Sequence, residues 1–104
     1  MIIEHRTYNI KPGAVPKLMD LYEKEGMDVH RSILGNQIGY FYTEIGPLNQ
    51  IVHLYGYKSM DDRAERRARL ANDDIWKNFI SKGIKYIDHQ ESKILLPAKF
   101  SPIK

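Results

Sequence analysis

The hairpin region from Gln37 to Tyr57 constrains this chain most, because neither of its strands alternates cleanly between apolar and polar residues. Successive side chains of a strand point to opposite faces of the sheet. In Asn49–Tyr57, one face carries Ile51, His53, Tyr55 and Tyr57, and the other carries Val52, Leu54 and Gly56. In Gln37–Ile45 the two sets are Ile38, Tyr40 and Tyr42 against Gly39, Phe41 and Ile45. An antiparallel sheet with one solvated face would place a polar residue at every second position. Here both faces demand cover, and Gly46-Pro47-Leu48 supplies the turn between the strands.

Period and punctuation place the remaining segments. Ile2–Ile10 is rich in β-branched and aromatic residues and stops at Lys11-Pro12-Gly13, which predicts a strand. Val15, Leu18, Met19, Tyr22, Val29 and Ile33 recur mostly at helical spacing, so one helix is expected from Gly13 to Leu34-Gly35-Asn36. Gly26 weakens its middle by up to about 1 kcal/mol relative to Ala. Ser59, with Asp61 and Asp62 in the following turn, marks the start of a second helix. Asn72-Asp73-Asp74 interrupts it and caps a further helical stretch, DDIWKNFISKGIKYI, whose inward stripe is Ile75, Trp76, Phe79, Ile80 and Ile84. SKILLP reads as a last short strand closed by Pro97, with an irregular tail from about that point. The order β-α-β-β-α-β predicts a single ferredoxin-like α+β domain over residues 1–104, a four-stranded antiparallel sheet in the spatial order 4-1-3-2 with the helices on one face. Helices then cover one side of the hairpin. A second copy packed sheet to sheet covers the other by symmetry, so a homodimer is expected.

Composition removes several chemistries. Without cysteine there is no disulfide, thiolate nucleophile or cysteine-ligated metal, which leaves His, carboxylate and Tyr chemistry. A formal charge of +3, from 16 basic and 13 acidic residues largely interleaved, does not predict nucleic-acid binding. No segment reaches the roughly 20 apolar residues of a membrane-spanning helix, and MIIEHRTYNI has the character of neither a signal nor a transit peptide. A cytoplasmic protein without membrane contact is expected.

His53 is the leading catalytic candidate, because an interior histidine can act as a general base or orient a ligand; it can equally be a satisfied core residue. Tyr55 and Tyr57 share its face, and with Tyr40 and Tyr42 they are candidate pocket-lining residues or interface packing. Glu4, Arg6 and Tyr8 fall on one side of the first strand, His5, Thr7 and Asn9 on the other. Arg6 can hold a ligand carboxylate with help from Tyr8, or pair internally with Glu4 or Glu44. His5 and His53 come without close-set carboxylates or a His-x-x-x-His spacing, so neither metal nor cofactor is expected. Arg63, Arg66, Arg67 and Arg69 read as a solvated, salt-bridged helix face, with Met60, Ala64, Ala68 and Ala71 as the seam against the sheet.

The stretch IGYFYTEIGPLNQIVHLYGYKSMDDRAERRARLANDDIW closely resembles the core of the NIPSNAP family, and EHRTYNIKPG resembles its opening strand. The resemblance spans essentially the whole chain. It implies a dimeric α/β barrel in which two ferredoxin-like sheets face each other, and it implies no established reaction. Where the family often has tryptophan in the strand after the turn, this chain has Tyr55. Two functions are compatible: a homodimer that binds or converts a small organic molecule in an interior pocket, and a non-catalytic protein-interaction module. RNA recognition, which uses the same element order, is set aside because NQIVHLYGY lacks the aromatic RNP pattern in the third strand.

Overall fold

The computed structural model describes residues 1–104. Its elements are β1 (Ile2–Ile10), α1 (Val15–Glu25), α2 (Met27–Leu34), β2 (Asn36–Tyr42), β3 (Gln50–Tyr57), α3 (Met60–Ala71), α4 (Asp74–Gly83), a 3₁₀ turn (Ile84–Tyr86) and β4 (Ile87–Leu95). All strand pairs are antiparallel and the sheet order is β2-β3-β1-β4, the expected ferredoxin-like arrangement. Ser59 and Asp73 cap α3 and α4 by accepting from Asp62 N and Trp76 N, so the helix starts lie where the sequence places them.

One face of the sheet receives the helices. Ile10, Ala14, Leu18, Tyr22, Ile51 and Phe79 form one buried cluster, and Leu34, Tyr55, Tyr57 and Leu70 form a second, with Trp76 packed against both. The strand residues in these clusters all belong to the face of Ile51, His53, Tyr55 and Tyr57. Val52 and Leu54 on the opposite face are only half-buried, and Phe41 beside them is exposed. The face left without helix cover is therefore the one opposite His53.

Several boundaries differ from the sequence reading. The long first helix is two helices, because the backbone at Gly26 leaves helical geometry at φ −127°. With the break, α2 buries His30 and Leu34, while Val29 and Ile33 are only half-buried. β2 stops at Tyr42 instead of Ile45, since Gly46 and Asn49 adopt positive φ and end the pairing early; Ile45 and Leu48 are exposed in the loop. β4 begins at Ile87, not Ser92, because Gly83 closes α4 and the chain needs only one 3₁₀ turn to reach the sheet edge. Of the expected α4 stripe, Trp76 and Phe79 face inward and Ile80, though partly exposed, lines the cavity described below, whereas Ile75 and Ile84 are exposed. On α3 the reading is inverted: Ala64 and Ala68 are exposed, and Arg63, Arg66 and Arg67 are half-buried toward the sheet. A buried carboxylate, described below, draws the arginines inward.

Gly26 has a second reason to lack a side chain. A Cβ there would stand 2.9 Å from Cγ and 3.1 Å from Cδ2 of Phe79. Gly26→Ala is expected to lower stability by about 1–3 kcal/mol through this overlap, despite the roughly 1 kcal/mol by which Ala outranks Gly in helices. Urea denaturation with an unchanged m-value checks it.

Candidate functional site

Tyr8 from β1, Tyr40 from β2, and Ile51 and His53 from β3 form the floor of a cavity of about 50 Å³. Leu18, Tyr22, His30, Trp76 and Phe79 from the helices form its roof. Cross-strand register explains the floor, since Tyr40 and His53 are direct partners and Tyr8 pairs with Ile51. His53 stacks on Tyr40 with ring centroids 5.3 Å apart and leans on Tyr8 at the same distance. Only 3% of His53 is exposed, and its Nδ1 is buried with no hydrogen-bond partner. Burial holds its imidazole down to about 3, and the nearby Arg6 and Arg67 add to that, against the opposing pull of Glu4.

His30, not singled out from the sequence, faces it with ring centroids 5.7 Å apart and stacks on Trp76 at 4.4 Å. Its Nδ1 lies 2.7 Å from both the Tyr22 and Tyr55 hydroxyls. The proton can be placed by following the chain of donors. Arg31 Nε donates to Gln37 Oε1 at 2.8 Å, which fixes the orientation of that amide. Gln37 Nε2 then donates to Tyr55 at 2.6 Å and to Tyr22 at 3.0 Å. Imidazole Nδ1 has a single lone pair, so one phenol donates to it while the other donates across the 3.3 Å Tyr22–Tyr55 contact, an arrangement in which the ring keeps its hydrogen on Nε2. His30 thus meets the cavity as a neutral donor. Burial, then the His53 and arginine charges, lower its imidazole to about 2. Burial likewise raises the Tyr22, Tyr40 and Tyr55 phenols, so all the polar groups here are uncharged at neutral pH.

Beside the cavity lies a charged cluster. Glu4 is fully buried and accepts from Arg63 Nη2 at 2.8 Å, Arg6 Nη1 at 3.1 Å and Ser92 Oγ at 2.6 Å. Arg67 stands 4.0 Å away, and the Tyr57 hydroxyl reaches Glu4 at 3.5 Å. Burial alone would raise the carboxyl, but the Arg63 and Ser92 hydrogen bonds and the Arg6 and Arg67 charges outweigh it and hold it at about 2. Arg6 also donates from Nε to the Tyr8 hydroxyl at 2.9 Å. Tyr8 therefore joins cavity and cluster.

The sequence-selected residues divide accordingly. His53, Tyr8 and Tyr40 line the cavity; Tyr55 sits behind it, holding His30; Arg6 and Tyr57 belong to the Glu4 cluster. Tyr42 is exposed and lines an open surface depression with Val15, Pro16 and Met19. His5 and His53 lie on opposite faces of the sheet, since His5 pairs with Leu54 and Arg6 with His53. No three His, Asp or Glu side chains gather as metal ligands would. Gln37 was missed because parity puts it on the outer face with Gly39. A bulge at Ile38 shifts the register, so that Gln37 pairs with Tyr55 and turns inward.

A family model described as NIPSNAP matches residues 3–102. The chain belongs to the NIPSNAP family. A NipSnap homolog of Dictyostelium discoideum is 35% identical over 96 residues, covering 92% of this chain and 42% of that protein. This NIPSNAP chain spans less than half the length of the curated relatives it matches. Protein Atu4242 of Agrobacterium tumefaciens, described as a NIPSNAP family protein with unknown function, is 48% identical with full coverage of both chains and a TM-score of 0.98. An antibiotic biosynthesis monooxygenase, 11% identical, covers 94% of this chain and 99% of its own with a TM-score of 0.66, a likeness of fold alone. Within the NIPSNAP match, the cavity and the Glu4 cluster both lie on the helix side of the sheet.

Proposed function

We propose that this NIPSNAP domain is a small-molecule pocket protein, homodimeric through its open sheet face, cytoplasmic, and binding a short organic molecule between sheet and helices. The observation that carries this reading is a partly open aromatic cavity facing a histidine donor, with an unpartnered buried nitrogen on a second histidine. A buried polar atom without a partner costs roughly 1–3 kcal/mol, and a guest that bonds it recovers that cost. The volume sets the guest's size. About 50 Å³ is a third of the roughly 150 Å³ that accepts benzene, so a body of a few heavy atoms fits where an aromatic ring does not. With its imidazole held near 3, His53 is a weak base in the empty site, since a general base works best with a pKa near ambient pH. It orients a guest first; conversion requires a guest whose negative charge brings that value back up.

The test is histidine-detected NMR with acetone, acetate and pyruvate as probes. Saturable shifts of His30 Nε2 and His53 Nδ1, abolished by His53→Phe, are expected. Silence at both rings for every probe would instead favour the interaction module, for which the outward Ile75 and Ile84 speak. Sedimentation at micromolar concentration is expected to give about twice the 12.2 kDa chain mass, and a monomer would remove the dimer from the proposal.

A further inference from the structure

Glu4 is one negative charge sealed from solvent, and three guanidiniums converge on it at 2.8, 3.1 and 4.0 Å. One guanidinium neutralises one carboxylate. Two positive charges are left over in a half-buried place, where an uncompensated charge is costly. The neighbouring acids of α3 do not supply the difference, because Asp62 pairs with Arg66 and Glu65 with Arg69. β4 contributes only the neutral Ser92 and Gln90. Donors are in surplus as well as charge. Arg63 Nε is buried without an acceptor, and Arg67 stands beyond hydrogen-bond distance from the carboxylate. Yet the side chains of Arg6, Arg63 and Arg67 keep 15%, 23% and 31% of their surface, so a guest reaches them without unfolding the domain.

We infer that Arg6, Arg63 and Arg67, splayed and held by Glu4, form a binding site for a small oxyanion, the carboxylate or phosphate group of a ligand. Glu4 anchors the Arg6 and Arg63 forks by hydrogen bonds and holds Arg67 by charge at 4.0 Å, and the guest supplies the charge that Glu4 leaves unmatched. The surplus is felt nearby: Arg6 and Arg67 depress the His53 imidazole against the pull of Glu4, as an incompletely cancelled positive cluster does. Because Tyr8 links the cluster to the cavity, one ligand can engage both, but the oxyanion site does not depend on the cavity reading.

The full chain in low-salt, chloride-free buffer at pH 7.5 is titrated separately with sodium phosphate and sodium acetate, following the arginine Nε–H resonances. Saturable shifts confined to Arg6, Arg63 and Arg67 are expected. Arg67→Gln, which leaves every hydrogen bond to Glu4 in place, should weaken binding about tenfold, the equivalent of about 1.4 kcal/mol. Arg69→Gln, on the exposed Glu65 pair, should leave it unchanged. Tighter phosphate binding identifies a phosphoryl group as the natural guest, and tighter acetate binding a carboxylic acid. Shifts that grow linearly without saturation, or that are the same in Arg67→Gln, would mean general ionic screening and overturn the inference. Phosphate binding without any cavity ligand would strike the cavity proposal alone, and the converse would strike only this one.

Discussion

Lowering the pH from 7.5 to 5.0 is expected to remove about 4 kcal/mol of folding stability, read from urea denaturation across a pH series. The cause is the pair of buried neutral imidazoles. His30 and His53 are each 3% exposed, and their folded values near 2 and 3 lie far below the ordinary 6.5. In the unfolded chain both take up protons as pH falls through 6.5, while in the folded chain they stay neutral until about 3. The unfolded state therefore binds more protons throughout that window, and stability falls with pH. At pH 5 each group contributes about 2 kcal/mol of the loss, against an ordinary total of about 5–15 kcal/mol for a domain. His53→Gln or His30→Gln should each remove about half of the pH slope between 6.5 and 5. A wild-type slope near zero in that window would show that one or both rings are solvated. An anion bound beside them would shift the same transition to lower pH, since negative charge favours the imidazolium.

The pH behaviour depends on residues that the sequence reveals unequally. Strand order was legible because it follows from element order and two-faced strands, both visible in Ile2–Ile10 and Gln50–Tyr57. The side of β3 that looks at the helices was not, because Val52 and Leu54 are as apolar as Ile51 and differ only in what packs on them. His53, Tyr8 and Tyr40 could be named since they lie in regular strand with fixed parity. His30 could not: the apolar spacing runs through Val29 and Ile33, and a polar residue on the same four-residue row as Leu18, Tyr22 and Leu34 gives no apolar signal. The glycine at the break packs against the Phe79 ring, which is distant in sequence. Gln37 was hidden by the bulge at Ile38, since a one-residue slip sends a side chain to the other face. The α3 arginines were misplaced for an energetic reason. Hydrophobic periodicity favours Ala64 and Ala68 inside, but a sealed Glu4 requires cations, and that requirement outweighs burial of two methyl groups.

The second large effect tests that ordering of terms. Glu4→Gln keeps the shape of the side chain and removes its charge, leaving Arg6, Arg63 and Arg67 without a counter-ion in a half-buried cluster. Breaking a buried ion pair from one side costs about 3–5 kcal/mol, because the partner's charge stays behind. A loss of that size is expected at pH 7.5 in low salt. Adding Arg63→Gln to Glu4→Gln should recover part of it, since one stranded cation is gone, and the double-mutant cycle reads the coupling directly. Tyr57→Phe removes only a 3.5 Å contact to the same carboxylate and should cost far less. The pH dependence separates Glu4 from the histidines. Its folded value near 2 lies below the ordinary 4.5, so its contribution is complete above about pH 4.5 and disappears as pH falls toward 2. A His30→Gln, His53→Gln variant should therefore hold its stability down to about pH 5 and lose it only below, whereas Glu4→Gln should retain the full histidine slope. If Glu4→Gln were neutral at pH 7.5, water must already solvate the cluster, and the inward placement of the arginines would need a cause other than charge.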